Sequence, residues 1–155
     1  MGVEGISDEM YNVFIRRVYD LAAVTDKSVT IYLNEEKVKV KDFSQYVGLY
    51  LGPLGSSQRV TEIANPHWEF VIGLSATHSF EQVSFVNGLY TAKGGKHVDY
   101  IVNQIIKKIS AHIEKKKKVK VKTSAIKEQL SVFIRCEIDN PGFDSQTKDY
   151  LTTPV

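Results

Sequence analysis

Cysteine is almost absent from this chain of 155 residues, which has Cys136 alone. A single cysteine excludes an intramolecular disulfide framework and is typical of a protein in a reducing compartment. Cys136 follows Val132 and Ile134 in an alternating apolar run. This spacing predicts a small core residue and not a nucleophile.

Long apolar runs are also lacking. No stretch approaches the roughly 18 apolar residues that span a bilayer, and the first residues are acidic, so we expect neither a membrane segment nor a secretory signal. Metal-ligand spacing is absent too, because the four histidines are not spaced as ligands relative to one another or to the cysteine. They are His67, His78, His97 and His112. We therefore predict no metal site, and we expect His97 to cap a helix or pack.

The composition is ordinary for one soluble globular domain, or for one domain plus a fragment, at 43% hydrophobic and 25% charged residues. The net charge of +2 excludes a generic polyanion binder, but the charge is uneven. Nine lysines lie between Lys107 and Lys127. Such a run is often a solvated helix end that favours the helix dipole. Because it has no interleaved aromatic residue, any nucleic-acid contact would be to phosphate and indifferent to sequence.

Hydrophobic periodicity predicts two groups of elements. In the first, a helix capped by Ser7 or Asp8 runs to Ala22, strands cover residues 29–33 and 38–40 around a turn at 34–37, and a short helix covers 43–51. In the second, strands cover residues 68–74, 82–91 and 130–138, and a long helix with an apolar face begins near residue 98. A further short helix, capped by Thr123 or Ser124, runs to Gln129. The stretch 52–57 is the strongest linker signal.

Four motifs occur along the chain in a fixed order. They are Arg16-Arg17-Val18-Tyr19-Asp20-Leu21-Ala22, Ser84-Phe85-Val86-Asn87-Gly88, Thr91-Ala92-Lys93-Gly94-Gly95-Lys96-His97-Val98-Asp99-Tyr100, and Ser145-Gln146-Thr147-Lys148. Together they resemble eukaryotic-type DNA topoisomerase II from about residue 6 to the C-terminus. The family's usual Asn-Ser-Ile-Ala-Thr is Asn87-Gly88-Leu89-Tyr90-Thr91 here, a change that we expect to alter packing and not chemistry.

The resemblance implies an α+β fold. We expect a sheet with helices packed on one face, as in the topoisomerase II transducer, preceded by a strand-rich remnant of a GHKL-type ATPase domain. The predicted domains are the C-terminal remnant of the ATPase domain at residues 1–52, a linker at 53–66 and the transducer domain at 67–155.

The resemblance also assigns a role to Gln146, Thr147 and Lys148. On spacing alone, a lysine after a Pro-Gly turn is usually solvated. In the family, this loop reaches the neighbouring ATPase domain and touches the γ-phosphate of the nucleotide, so Lys148 is the candidate catalytic residue and all three are candidate cofactor-binding residues. The implied cofactor is ATP with Mg²⁺, whose ligands are mostly in other segments. Gly94-Gly95 could also cradle a phosphate, but we expect a strand-to-helix turn there.

The lysine run matches a loop that is thought to sense DNA in this family, which makes Lys115, Lys116, Lys117 and Lys118 candidate DNA-binding residues. The implied partners are double-stranded DNA, the ATPase domain of the parent enzyme and a second copy of that enzyme, in the nucleus or another reducing compartment.

Several patterns needed for the complete reaction are missing from the chain. There is no glycine-rich nucleotide lid, no Asn-x-x-Asp helix pattern, no acidic cluster for DNA cleavage and no identifiable nucleophilic tyrosine. We therefore expect a fragment or truncated product that is inactive by itself. The alternatives are a stand-alone basic nucleic-acid-binding module and a fragment that associates with an intact topoisomerase.

Overall fold

The computed structural model describes residues 5–155. Residues 1–4, which begin the predicted ATPase-domain remnant, lie outside the described residues. The chain forms two compact units, Met1–Leu54 and Gly55–Val155. The assignment of these units to an ATPase-domain remnant and a transducer domain stays a prediction.

The first unit contains α1 (Asp8–Val24), β1 (Tyr32–Leu33), β2 (Glu36–Lys37) and α2 (Phe43–Leu51). Both predicted helices are confirmed, and each has a capped start. The Ser7 side chain accepts a hydrogen bond from the backbone N–H of Met10, and the Asp42 side chain accepts one from Gln45.

The predicted strands of the first unit are wrong in their extent, because only a two-residue ladder forms. Leu33 pairs with Glu36, and the two residues between them, Asn34 and Glu35, have φ angles of 49° and 67°. Two consecutive positive φ angles close a tight hairpin, so the turn is shorter than the predicted 34–37.

The C-terminal end of α1 packs against α2, and that is where the first unit has its core. Ala22, Ala23, Phe43, Tyr46 and Val47 are buried. The spacing of Met10, Val13, Phe14, Val18 and Leu21 predicts an apolar stripe on α1, but four of these side chains, Met10, Val13, Phe14 and Leu21, are exposed. The buried residues of α1 are instead Asp20, Ala22 and Ala23.

The second unit is built on a mixed five-stranded sheet in the order β3-β4-β8-β5-β6. The strands are β3 (Arg59–Asn65), β4 (Trp68–Leu74), β5 (Glu81–Val86), β6 (Leu89–Tyr90) and β8 (Leu130–Cys136). The central β8 is antiparallel to β4 and parallel to β5. Residues 59–65, predicted as linker, instead form the edge strand β3, which pairs antiparallel with β4.

The single strand predicted at residues 82–91 is instead a hairpin. Asn87 and Gly88 have φ angles of 49° and 76°, and Val86 pairs with Leu89 across them. Asn-Gly is the preferred pair for such a two-residue turn, because asparagine tolerates the left-handed region and glycine has no Cβ to clash there.

The remaining elements are β7 (Gly94–Gly95), α3 (Lys96–Lys117), α4 (Thr123–Lys127) and β9 (Tyr150–Leu151). The α3 and α4 helices pack on one face of the sheet, as predicted, and the fold is α+β. Their core contains the following buried side chains: Val98, Ile101, Val102, Ile106, Ile126, Leu130, Val132 and Ile134. The α4 helix ends before the predicted Gln129, and it starts after Lys122 without a side-chain cap.

Cys136 is buried at the end of β8, where burial raises the pKa of its thiol to about 12. A thiol of this kind stays protonated at neutral pH, which confirms the predicted core role.

Within residues 5–155, no helix has the length and apolar character needed to cross a membrane.

Candidate functional site

The loop that carries Gln146, Thr147 and Lys148 connects β8 to β9, and it is anchored where it leaves the sheet. The side-chain amide of Asn87 donates to the Ile138 carbonyl at 2.9 Å and accepts from the Ile138 N–H at 2.8 Å. The backbone N–H of Asn87 also donates to the carbonyl of Cys136 at 2.9 Å. The β5–β6 turn therefore holds the first residues of the loop.

The other end of the loop is anchored at the start of α3. Gly94 and Gly95 pair in parallel with Tyr150 and Leu151. The Lys93 backbone N–H donates to the Asp149 carbonyl at 2.9 Å, and the Lys93 ammonium lies 3.8 Å from the Asp149 carboxylate. The glycine pair is thus a strand-to-helix connection whose backbone is used for pairing.

Only glycine fits at position 95. Its φ is 141°, and a Cβ there would lie 2.5 Å from both the backbone N and O atoms of Leu151. This distance is well inside van der Waals contact, and the backbone conformation is one that essentially only glycine adopts. Gly95 therefore lets the end of the loop lie directly against the start of α3.

A cluster of three buried polar side chains, Ser84, Thr91 and His97, lies at this junction. The Ser84 and Thr91 hydroxyl oxygens are 2.5 Å apart, and Thr91 Oγ1 lies 3.3 Å from His97 Nε2. All three side chains are fully buried. Burial lowers the pKa of His97 to about 4, so the imidazole is neutral, and His97 packs at the helix start as expected.

The three predicted residues lie together at the tip of the loop, but their side chains make different contacts. The Thr147 hydroxyl donates to the Asp149 carboxylate at 2.9 Å and lies 2.8 Å from the Ser145 hydroxyl. Lys148 has a φ of 59°, and its backbone N–H donates to the carbonyl of Ser145 at 3.1 Å. Thr147 therefore stabilises a tight turn, and Gln146 and Lys148 are exposed on either side of it.

The exposed side chains of Gln146 and Lys148 at the loop tip make no polar contact with the residues that the structure describes. Among the described residues, no carboxylate forms an ion pair with Lys148, and the Gln146 side chain makes no hydrogen bond. The Lys148 ammonium lies 6.0 Å from the centre of the Phe143 ring. An exposed ammonium and an exposed amide N–H can each donate to phosphate oxygens.

The lysine run lies at the opposite end of α3. Lys115, Lys116 and Lys117 form its last turn, and Lys118 follows in the left-handed conformation with its N–H donating to Glu114. All four side chains are exposed. A helix of 22 residues spans roughly 33 Å. The structure thus separates the loop from the lysine run.

In the part of the chain that the structure describes, no three or more histidine, cysteine, aspartate or glutamate residues lie together so that they could hold a metal ion.

Asn87, Lys93 and Gly95 position the loop, and the sequence did not assign them this role. The Asn-Gly pair at residues 87–88 was the available signal for a turn, but pairing with a loop some 50 residues later in the chain has no local signature.

Comparison with known proteins agrees with this architecture. The sequence profile of the family described as DNA gyrase B matches residues 31–155. DNA topoisomerase 2 of Arabidopsis thaliana is 44% identical over 154 residues, which cover 95% of this chain and 10% of that protein. DNA topoisomerase 2 of Saccharomyces cerevisiae is 39% identical over 170 residues, covering 99% and 12%. The chain thus spans about a tenth of the length of these relatives.

Solved structures give the same relationship. The ATPase region of Saccharomyces cerevisiae topoisomerase II superimposes with a TM-score of 0.87 at 40% identity, covering 99% of this chain and 39% of that one. The ATPase and transducer domains of Balamuthia mandrillaris DNA topoisomerase II superimpose with a TM-score of 0.87 at 38% identity, covering 98% and 38%. The chain therefore belongs to the DNA gyrase B family, in its eukaryotic-type topoisomerase II branch.

Proposed function

We propose that this chain is part of an ATP-dependent type II DNA topoisomerase and couples ATP binding and hydrolysis to DNA strand passage. The observation that carries the proposal is the loop anchored at both ends, which presents Lys148 and Gln146 without a competing partner. Its relatives bear the name DNA topoisomerase 2, and the structures that it resembles are ATPase regions.

The role of the loop follows from its chemistry. The Lys148 ammonium neutralises charge on the γ-phosphate of ATP, and the Gln146 amide donates to one of its oxygens. Thr147 holds the turn that separates these two side chains. Loss of the γ-phosphate removes the attraction and releases the loop, so the nucleotide state biases the position of this unit.

The nucleotide and its Mg²⁺ are held mostly by residues of the parent enzyme's ATPase domain. Lys148 and Gln146 fit the phosphate end of the nucleotide, because an exposed positive ammonium and an exposed neutral amide N–H both donate to phosphate oxygens. The Lys148 ammonium does not fit a metal ion, because it is itself a cation and has no lone pair to donate. The parent enzyme acts as a homodimer in the nucleus.

Lys115, Lys116, Lys117 and Lys118 contact the phosphates of double-stranded DNA. They form an exposed cluster of one sign at the end of α3, and a cluster of this kind binds DNA without reading its sequence. The same cluster favours a second candidate function, a stand-alone basic nucleic-acid-binding module, which would need neither Lys148 nor ATP.

The test is steady-state ATP hydrolysis by a full-length enzyme that contains this segment, with Lys148→Ala and Lys39→Ala compared. Removing a preorganised electrostatic contact costs roughly 2.7–4 kcal/mol, or about 100- to 1000-fold in rate, so Lys148→Ala should hydrolyse ATP far more slowly. Lys39 is an exposed lysine of the first unit, and its replacement should have no effect. Hydrolysis by Lys148→Ala at the parental rate would refute the role given to the loop.

A further inference from the structure

An open groove separates α3 from α4 in the second unit. Its volume is about 650 Å³, and Ile106 and Ala111 are among the residues that line it. One wall carries Lys107 and Ser110, which lie on the same side of α3 because they are three residues apart. The opposite wall carries polar residues of α4, namely Thr123, Ser124 and Lys127.

The polar groups of this groove are available to a ligand. Within residues 5–155, the Lys107 ammonium and the hydroxyls of Ser110 and Ser124 make no hydrogen bond or ion pair. The Lys127 ammonium lies 4.6 Å from the centre of the Phe80 ring, a cation–π contact that holds its charge in place. Donors from both helices therefore face one space.

The groove has a positive balance of charge and continues into the lysine run. Its lysines are Lys107 and Lys127, and its single acid is Glu114. The Glu114 carboxylate lies 4.0 Å from the Lys120 ammonium, which offsets part of its negative charge. Lys115 follows Glu114 directly and begins the exposed run at the end of α3.

We infer that this groove binds the sugar–phosphate backbone of duplex DNA and extends the contact made by the lysine run. The inference rests on the DNA contact proposed above. Lysine, serine, threonine and asparagine are residue types that bind backbone phosphates. No residue that lines the groove is aromatic, so bases do not stack there and binding is indifferent to sequence.

The test is binding of the chain to a labelled duplex of mixed sequence across a salt series. Each lysine that contacts a phosphate contributes about one to the log–log salt slope, so Lys107→Ala/Lys127→Ala should reduce the slope by about two. Lys39→Ala/Lys96→Ala removes the same charge from exposed positions outside the groove and should leave the slope unchanged. Lys107→Ala alone should reduce it by about one, and it removes no internal contact that folding needs.

Removing the hydroxyls of Ser110 and Ser124 gives a second test, in which affinity and salt dependence are expected to respond differently. Ser110→Ala/Ser124→Ala should weaken binding by about two- to tenfold for each lost hydrogen bond. The salt slope should stay the same, because neither residue carries charge. A merely structural loss would instead lower the thermal stability of the variant.

Three results would overturn the inference. If the groove variants bind DNA like the control while alanine at Lys115, Lys116, Lys117 and Lys118 lowers the slope, the groove is not a DNA site and the contact of the lysine run stands. If neither set of variants changes the slope, the groove and the proposed DNA contact both fail. If a soluble acidic polypeptide binds the chain and only its affinity is lost in the groove variants, the groove serves a protein partner and the inference is also wrong.

Discussion

At the scale of single residues, the neutral state of His97 contributes to stability in a pH-dependent way. Burial depresses the pKa of this histidine to about 4 in the folded chain, whereas an exposed histidine titrates near 6.5. Between these values the unfolded chain binds the extra proton. The contribution is thus complete above pH 6.5 and is lost as the pH falls towards 4.

We expect the free energy of unfolding to show this directly. Relative to a His97→Gln variant, the parental chain should lose roughly 3 kcal/mol of stability between pH 6.5 and pH 4. Urea unfolding of both chains across this range measures the difference and cancels the titration of the carboxylates that they share. A difference that does not change with pH would show that His97 is not held neutral by the fold.

Gly95 and Gly94 form a matched pair for testing the junction between the loop and α3. A Cβ on Gly95 would meet the Leu151 backbone at 2.5 Å, whereas the nearest atoms to a Cβ on Gly94 lie at 3.5 Å or more. Gly94→Ala should cost roughly 1–2 kcal/mol for its positive φ alone. Gly95→Ala should cost more by roughly 1–3 kcal/mol, because overpacking is added.

Hydrogen exchange locates the damage. In Gly95→Ala, the amides of residues 148–151 should exchange faster, since β9 can no longer pair closely with β7. The amides in the middle of β8 should be unchanged. Equal effects of the two glycine replacements would show that backbone strain, and not the close approach to Leu151, decides the outcome.

At the scale of elements, the β5–β6 hairpin is a support for the loop. Asn87 makes two side-chain hydrogen bonds to Ile138, and it has a positive φ of 49° that glycine also tolerates. Asn87→Gly therefore removes the side-chain contact without straining the turn. Asn87→Asp keeps the acceptor for the Ile138 N–H and loses the donor.

We expect Asn87→Gly to destabilise the chain by roughly 1–3 kcal/mol, about 0.5–1.5 kcal/mol for each lost hydrogen bond. Asn87→Asp should fall between this variant and the parent. Exchange at residues 138–149 should quicken in the same order, while α3 should be unaffected. If all three chains protect the loop equally, the hairpin is not its anchor.

The sequence predicts helices and strands well where one face of the element is buried, because burial then produces a regular spacing of apolar residues. The α3 helix and β4 have continuous or alternating apolar faces, and both lie where the pattern indicates. The edge strand β3 was missed because Val60 and Ile63 are three residues apart and 65% exposed, so they show neither the period nor the burial of a strand. The pairing of β7 with β9 was missed because each has two residues and their pairing is long-range.

At the scale of the whole molecule, α3 joins the two candidate sites. Its start carries the pairing with β9 that fixes the loop proposed to contact phosphate, and its end carries the lysines and the groove. The motifs name both candidate sites by residue, as Gln146–Lys148 and Lys115–Lys118, and the roles of these residues stay predictions. What they could not predict is how each site is held, since Asn87, Gly95 and the α3–α4 groove depend on contacts between distant segments.

The central claim is that Lys148 contacts the γ-phosphate, and nucleotide discrimination tests it most directly. In a full-length enzyme that contains this segment, affinities for a non-hydrolysable ATP analogue and for ADP are measured with Lys148 and with Lys148→Ala. A hydrogen bond to a charged group contributes roughly 1.5–3 kcal/mol, so affinity for the analogue should fall by about 10- to 150-fold while affinity for ADP is unchanged. Equal loss for both nucleotides, or no loss for either, would contradict the account.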